Sequence, residues 1–246
     1  MRLDDRAPDQ SRPVAFQCGI APHASGSVLI SMGNTRVVCA VMIEENVPRW
    51  MKEQRISGGW LTAEYSMLPY STLTRKPRDV SKGRLDGRSS EIQRLIGRSM
   101  RAAVDLEKLG PRTIWVDCDV LQADGGTRTA AITGASLAVT LACRRLVEEK
   151  RLAELPIKTL VAAISVGVIE NVALLDLNYE EDKAATVDLN LVATEEGALV
   201  EIQGAGEEAT FSHEQLLQML SLGQKGIVDL IEAQRAVLAN AGATAV

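Results

Sequence analysis

The sequence predicts a mixed α+β fold in which helices pack on sheets and one plan occurs twice. Two observations carry that reading. Runs rich in β-formers, punctuated by tight-turn signals, alternate with long helical periods. The second half then repeats the order of the first loosely, hairpins followed by a closing helix, as a duplication would leave it. With 246 residues, 46% apolar and 24% charged, the chain can bury a large core.

Val28 to Ile43, "VLISMGNTRVVCAVMI", gives two β-rich runs around Gly33-Asn34, a hairpin signal. "GGWLTAEYSMLP" follows as a strand ending at Pro69. Residues 70–86, "YSTLTRKPRDVSKGRLD", are polar, basic and without period, which predicts an exposed loop. From Ser89, "SSEIQRLIGRSMRAAVDLEKLG" predicts one helix closed by Gly110. Ile92, Leu95, Ile96, Ala103 and Leu106 form its apolar face, and Arg94, Arg98 and Arg101 share another. The strand "TIWVDCDVLQ" leads through "ADGGTRT" into a helix from about Thr129 to Lys150.

In the second half, "TLVAAISVGVIENVALLDL" predicts a hairpin turning at Glu170-Asn171. "ATVDLNLVAT" and "ALVEIQG" pair across a turn at Glu195 to Gly197. The last helix starts near Ser212, where Ser-His-Glu-Gln fits a capping box, and runs to about Asn240.

Composition excludes several classes. No apolar run approaches the roughly 20 residues that span a bilayer. The start, "MRLDDRAPDQSRPV", lacks the apolar centre of a signal peptide, so a cytoplasmic protein with no membrane partner is expected. Cys18, Cys39, Cys118 and Cys143 lie far apart and predict buried reduced thiols. His23 and His213 are too few and too separated for a histidine metal site, which disfavours a zinc hydrolase. Net charge is −5, yet Arg75 to Arg101 holds nine basic residues against three acids, +6 in all, leaving −11 on the rest. A positive strip on an acidic protein is what a selective polyanion site needs.

The strongest local motif is Gly125-Gly126-Thr127-Arg128 at a strand-to-helix junction. Glycines let the backbone approach a ligand, and the helix start offers unpaired amides and a positive dipole end. Thr127 adds a hydroxyl and Arg128 a guanidinium fork suited to phosphate oxygens. Neither G-x-x-x-x-G-K-[ST] nor G-x-G-x-x-G is present. A tight turn bearing a surface arginine fits the same residues, and the local sequence leaves both open.

Arg88, behind Gly87, is a second candidate phosphate clamp, or else a solvated arginine. Glu91, three residues from Arg88 and from Arg94, suggests ion pairs along the helix surface; a subunit interface would use the remaining arginines. Arg75, Lys76, Arg78, Lys82 and Arg84 in the basic loop suit RNA phosphates without base readout, or simply solubility. In "NYEEDKAATVDLNLV", alternation puts Val187, Leu189 and Leu191 on the core and turns Asp188 and Asn190 the other way. Asp182, in the preceding turn, can join Asp188 around a divalent ion or a reacting proton. That spacing is permissive, and a plain turn acid beside a strand acid satisfies it as well.

Together these residues resemble one family. "DCDVLQADGGTRTAAITGA", "GRSSEIQRLIGRSMRAAVDLEKLG", "GWLTAEYSMLP", "IEENVPR" and the N-terminal "RAPDQSRPV" are similar to the ribonuclease PH family of phosphorolytic exoribonucleases, relatives of polynucleotide phosphorylase and the exosome ring. The resemblance runs from about residue 2 to about residue 240. It implies a single domain over residues 1–246, of the ribosomal-protein-S5 domain-2-like type, with halves at about 1–150 and 151–246. It further implies phosphate attack on tRNA 3′ ends with release of nucleoside diphosphates, and a hexameric ring built as a trimer of dimers.

By position the family's phosphate ligands fall on Arg88, Gly126, Thr127 and Arg128, with inorganic phosphate as co-substrate. Its catalytic and metal-binding acids fall on Asp182 and Asp188, with Mg²⁺ as the expected ion. The basic loop and the next helix match regions linked to tRNA contact and ring assembly. Three departures stand out: Asp5 replaces the glycine of R-x-D-G-R, "EQRISGGW" interrupts a glycine-rich stretch, and Gln203-Gly204-Ala205-Gly206-Glu207 replaces Q-G-T-A-E. A catalytically silent RNA-binding ring subunit is the competing reading. A kinase-like nucleotide enzyme, without a Walker lysine, is the weaker third.

Overall fold

A computed structural model of the chain describes residues 2, 4–83, 86–207 and 209–241, without the side chains of Val80 and Lys82. Strands β1 (Val14–Cys18), β2 (Gly26–Met32) and β3 (Thr35–Glu44) are followed by a short helix α1 (Arg49–Gln54) and strand β4 (Trp60–Met67). Helices α2 (Gly87–Ala103) and α3 (Leu106–Leu109) precede β5 (Thr113–Gln122) and α4 (Thr127–Glu148). The second half contains β6 (Val161–Ile169), β7 (Val172–Leu175), α5 (Tyr179–Ala184), β8 (Val187–Thr194), β9 (Leu199–Gly206) and α6 (His213–Ala241).

The strands form two sheets, ordered β1-β2-β3-β5-β4 and β7-β6-β8-β9. All pairings are antiparallel except β4 with β5. Helix α4 packs on β2 and β3 of the first sheet and on β6 of the second, while α6 covers β6, β7 and β8. One apolar cluster runs through both sheets and both long helices.

The composition of α4 explains its place. Small residues let it lie against strands: a Cβ on Gly134 would meet Cys39 Sγ at 2.7 Å and Ile30 Cγ2 at 2.8 Å. Its hydroxyls serve β6, since Val161 N donates to Ser136 Oγ (3.0 Å) and Ala163 N to Thr133 Oγ1 (3.0 Å). This helix has the length and mean hydropathy (1.3) of a membrane span, so one segment does reach that threshold. Burial between two sheets accounts for it: 78% of that window lies inside the fold.

The hairpins turn where expected. Glu170 and Asn171 both take positive φ (49° and 64°), as a two-residue primed turn requires. Ser212 caps α6, its Oγ accepting from Gln215 N (3.1 Å) while its own N–H donates to Gln215 Oε1 (2.9 Å).

Other expectations need correction. The predicted helix from Ser89 to Gly110 is two helices. At Val104 the backbone leaves α2 to bridge Ile157, and the Asp105 side chain then caps α3 by accepting from Glu107 N and Lys108 N. The loop 70–86 includes a 3-10 turn at Asp79–Lys82. Strand β1 and helices α1 and α5 lack a sequence signal long enough to show a period. Cys39, Cys118 and Cys143 are buried thiols, whereas Cys18, on the edge strand, is exposed.

Candidate phosphate and metal cleft

The chain leaves β5 and reverses through Gly125 and Gly126, both left-handed (φ 73° and 64°), directly into α4. The turn is wedged. A Cβ on Gly125 would stand 2.4 Å from the Leu177 carbonyl oxygen, and one on Gly126 would stand 3.1 Å from Arg12 Nη2. Thr35 Oγ1 pins it from below, donating to the Gly125 carbonyl (2.6 Å) and accepting from Asp124 N (2.9 Å). Among the described residues no side chain caps the start of α4, so its first amides and positive dipole end stay available to an anion.

Above this turn lies a cleft of about 190 Å³ lined by Arg88, Gly126, Thr127, Arg128, Asp182 and Asp188, and completed by Ser165, Asn190 and Glu207. Arg88 comes from the first turn of α2, Asp182 from α5 and Asp188 from β8. Arg88 makes no hydrogen bond or ion pair among the described residues. Thr127 Oγ1 shares a 2.8 Å hydrogen bond with the buried Tyr65 hydroxyl. Burial pushes the Tyr65 phenol up, so it remains a neutral O–H at physiological pH. Asp182, the predicted turn acid, belongs to a helix instead. Burial, which strips water from the charged form, and then the Asp188 carboxylate push its carboxyl up from 3.8, against the pull of Arg88 and Arg128.

The carboxylates of Asp182 and Asp188 offer only hard oxygen donors, which suit a dication such as Mg²⁺. Among the described residues no group of three or more acids, histidines or cysteines could hold an ion alone. A two-carboxylate site completed by water and phosphate oxygens matches the habit of Mg²⁺.

The N-terminal segment braces both walls. Arg12, buried, binds Asp176 through Nε (2.9 Å) and Nη2 (2.6 Å), and its Nη1 donates to the Asp124 carbonyl at the edge of the glycine turn. Arg2 grips Glu181, the neighbour of Asp182, through Nε (2.7 Å) and Nη2 (2.8 Å). Asp5, standing where the family has glycine, takes φ 58°, the left-handed geometry that explains the usual residue.

Arg128 reaches Gln203 Oε1 (2.9 Å) and, more loosely, Glu91 Oε1 (3.4 Å). Glu91 therefore points across to α4 and not along its own helix to Arg88 or Arg94. Arg98 pairs with Glu201 (2.7 Å), and Arg101 donates to the Leu61 carbonyl (3.0 Å) and lies 5.4 Å over the Trp60 ring. Both are thus engaged within the chain.

Arg75, Lys76 and Arg78 do not line the cleft; Arg78 borders a separate depression with Glu64, Asp117 and Asp119. Arg84 and the side chain of Lys82 lie outside the described residues. Tyr65, Gln203, Glu207, Arg2 and Arg12 carry no site role that the sequence alone assigns. Only Gln203 had a local signal, alternation in β9 that sets it opposite Asn190.

The chain belongs to the 3′ exoribonuclease family: that family's domain 1 matches residues 10–144 and its domain 2 matches residues 159–226. Its full-length relatives include ribonuclease PH of Bacillus pumilus (strain SAFR-032), 56% identical over 238 residues, which are 96% of this chain and 98% of that one. Ribonuclease PH of Bacillus subtilis (strain 168) is 54% identical over 241 residues, 98% of each chain. Among solved structures, the Archaeoglobus fulgidus exosome with RNA bound to the active site has a TM-score of 0.79 at 24% identity, over 94% of this chain and 91% of that one. That likeness concerns the fold, and it agrees with the S5 domain-2-like architecture.

Proposed function

We infer that this chain trims the 3′ end of tRNA precursors by phosphorolysis. One observation carries the chemistry: Arg88, Thr127, Arg128, Asp182 and Asp188 line one cleft although α2, α4, α5 and β8 supply them separately.

Inorganic phosphate is already anionic at neutral pH, so the site has no need of a strong general base. Its task is to hold that anion against the repulsion of a scissile phosphodiester. Arg88, Arg128, the Thr127 hydroxyl and the first amides of α4 bind and orient it. A phosphate oxygen forms the new bond to the phosphorus of the terminal nucleotide. The bond from that phosphorus to the 3′ oxygen of the preceding nucleotide breaks, and its electron pair stays on that oxygen. The leaving oxygen takes the proton of the hydrogen phosphate, so the products are a nucleoside diphosphate and an RNA one residue shorter. Asp182 and Asp188 would hold Mg²⁺, which supplies charge stabilisation at the departing oxygen. Run backwards, the same geometry adds nucleotides from diphosphates, a nucleotidyltransferase reaction. A homo-hexameric ring, a trimer of dimers, belongs to the same proposal and rests on the family resemblance.

The test is a 3′-extended tRNA incubated with protein and Mg²⁺, with and without phosphate. Phosphate-dependent shortening that yields nucleoside diphosphates is expected. Phosphate-independent release of monophosphates would overturn phosphorolysis, and RNA binding with no shortening would favour a silent subunit.

A further inference from the structure

The mechanism above leaves unused a polar network that joins Arg128 to α2 and β9. Gln203 Oε1 accepts from Arg128 Nη1 (2.9 Å), while its Nε2 donates to Glu91 Oε1 (2.9 Å) and Glu201 Oε1 (2.9 Å). Arg98 in turn grips both Glu201 oxygens, Nε to Oε2 (2.7 Å) and Nη2 to Oε1 (2.7 Å). Carboxylates only accept and a guanidinium only donates, so the Gln203 amide has one workable orientation, with its oxygen toward Arg128.

Glu91 is the element that makes this arrangement consequential. Its Oε1 already stands 3.4 Å from the same Arg128 nitrogen, a long ion pair, and its side chain is 44% exposed. A shorter, bidentate Glu91–Arg128 pair would offset more of the guanidinium charge and draw its fork from the cleft toward α2. The neutral Gln203 amide bonds both, occupying the Glu91 oxygen at 2.9 Å and giving Arg128 a closer acceptor that carries no charge.

We propose that Gln203 is a positioning residue of the phosphate site, aiming Arg128 into the cleft and holding Glu91 back from a tighter pair with it. The proposal rests on Arg128 being a phosphate ligand. Titration of the full chain with inorganic phosphate, followed by phosphorus NMR, tests it without RNA or turnover.

Gln203→Leu should raise the phosphate Kd by about tenfold, as loss of a hydrogen bond to a charged group implies. Adding Glu91→Gln to that variant should restore most of the affinity, a rescue that simple packing damage would not allow. Phosphate binding unchanged in Gln203→Leu, or a loss that persists with Glu91→Gln, overturns the proposal. Glu91→Gln alone keeps the test decisive if Gln203→Leu does not fold: tighter phosphate binding supports it, and equal or weaker binding overturns it. Arg128→Ala is the separate control. If it leaves phosphate binding intact, the assignment of Arg128 as a ligand fails first.

Discussion

At the level of single residues, the two cleft arginines are held differently. Arg88 makes no hydrogen bond or ion pair among the described residues, while Arg128 is held mainly by Gln203, with a longer contact to Glu91. Arg128→Ala should therefore lower phosphorolytic kcat/KM by on the order of a hundredfold, the usual loss when a donor aimed at developing charge is removed. RNA affinity measured without phosphate should change only a few fold; equal losses in both would remove Arg128 from the phosphate site. Tyr65 acts one step back, through its hydroxyl on Thr127. Tyr65→Phe leaves a buried hydroxyl without its partner and should cost about 1 kcal/mol in urea unfolding. A phosphate affinity that stays at wild-type strength would show that Tyr65 does not orient Thr127.

At the level of elements, α5 is the revealing case. It has six residues, Tyr179–Ala184, far too few to be stable alone. A capping box between Asn178 and Glu181 starts it, and Arg2 and Arg6 lock Glu181 from outside. Arg2→Ala leaves a buried carboxylate half paired, and about 3 kcal/mol of stability should go with it. Hydrogen exchange should also quicken across 178–184, because the helix that carries Asp182 loses its anchor.

Glu181 adds a pH signature. Burial alone would raise its pKa, but the bond from Arg2 and the Asn178 amide hold it below the ordinary 4.5. A depressed carboxylate contributes its stability fully above 4.5 and loses it as pH falls through the folded-state value. The stability gap between wild type and Arg2→Ala, measured by urea unfolding, should accordingly narrow on going from neutral pH to below 4.5. A gap that stays constant would mean that the Arg2 pair does not set the Glu181 pKa.

At the level of the whole molecule, both sheets share one core because α4 lies between them. A core without a seam should unfold in a single calorimetric transition, whereas two resolved transitions would mean that the halves are separate units. The proposed ring makes its own prediction. Light scattering should return about six times the 26.5 kDa chain mass, and a monomer at working concentration would refute the hexamer. The positive strip also changes meaning at this scale. Arg98 and Arg101 are engaged inside the chain, so less of that charge remains for RNA or a neighbour than the +6 count suggests.

Features that depend on neighbours along the chain are settled by local sterics and period. Hairpin turns, long helices, the capped start of α6 and the glycine junction were legible because backbone sterics and periodicity act over a few residues. The short α5 and the break at Val104 were not, since tertiary contacts hold each of them. Local residues suggested an anion site but did not distinguish it from a plain turn, and they offered Arg88, Asp182 and Asp188 only as candidates, to which the family resemblance gave roles. Folding alone gathers these into one cleft with Arg128, and sets Gln203, 75 positions away, against that arginine. Spacing along a chain does not encode which distant strands and helices will meet. Burial of one common core brings them together, and the polar groups left at its rim must then find each other.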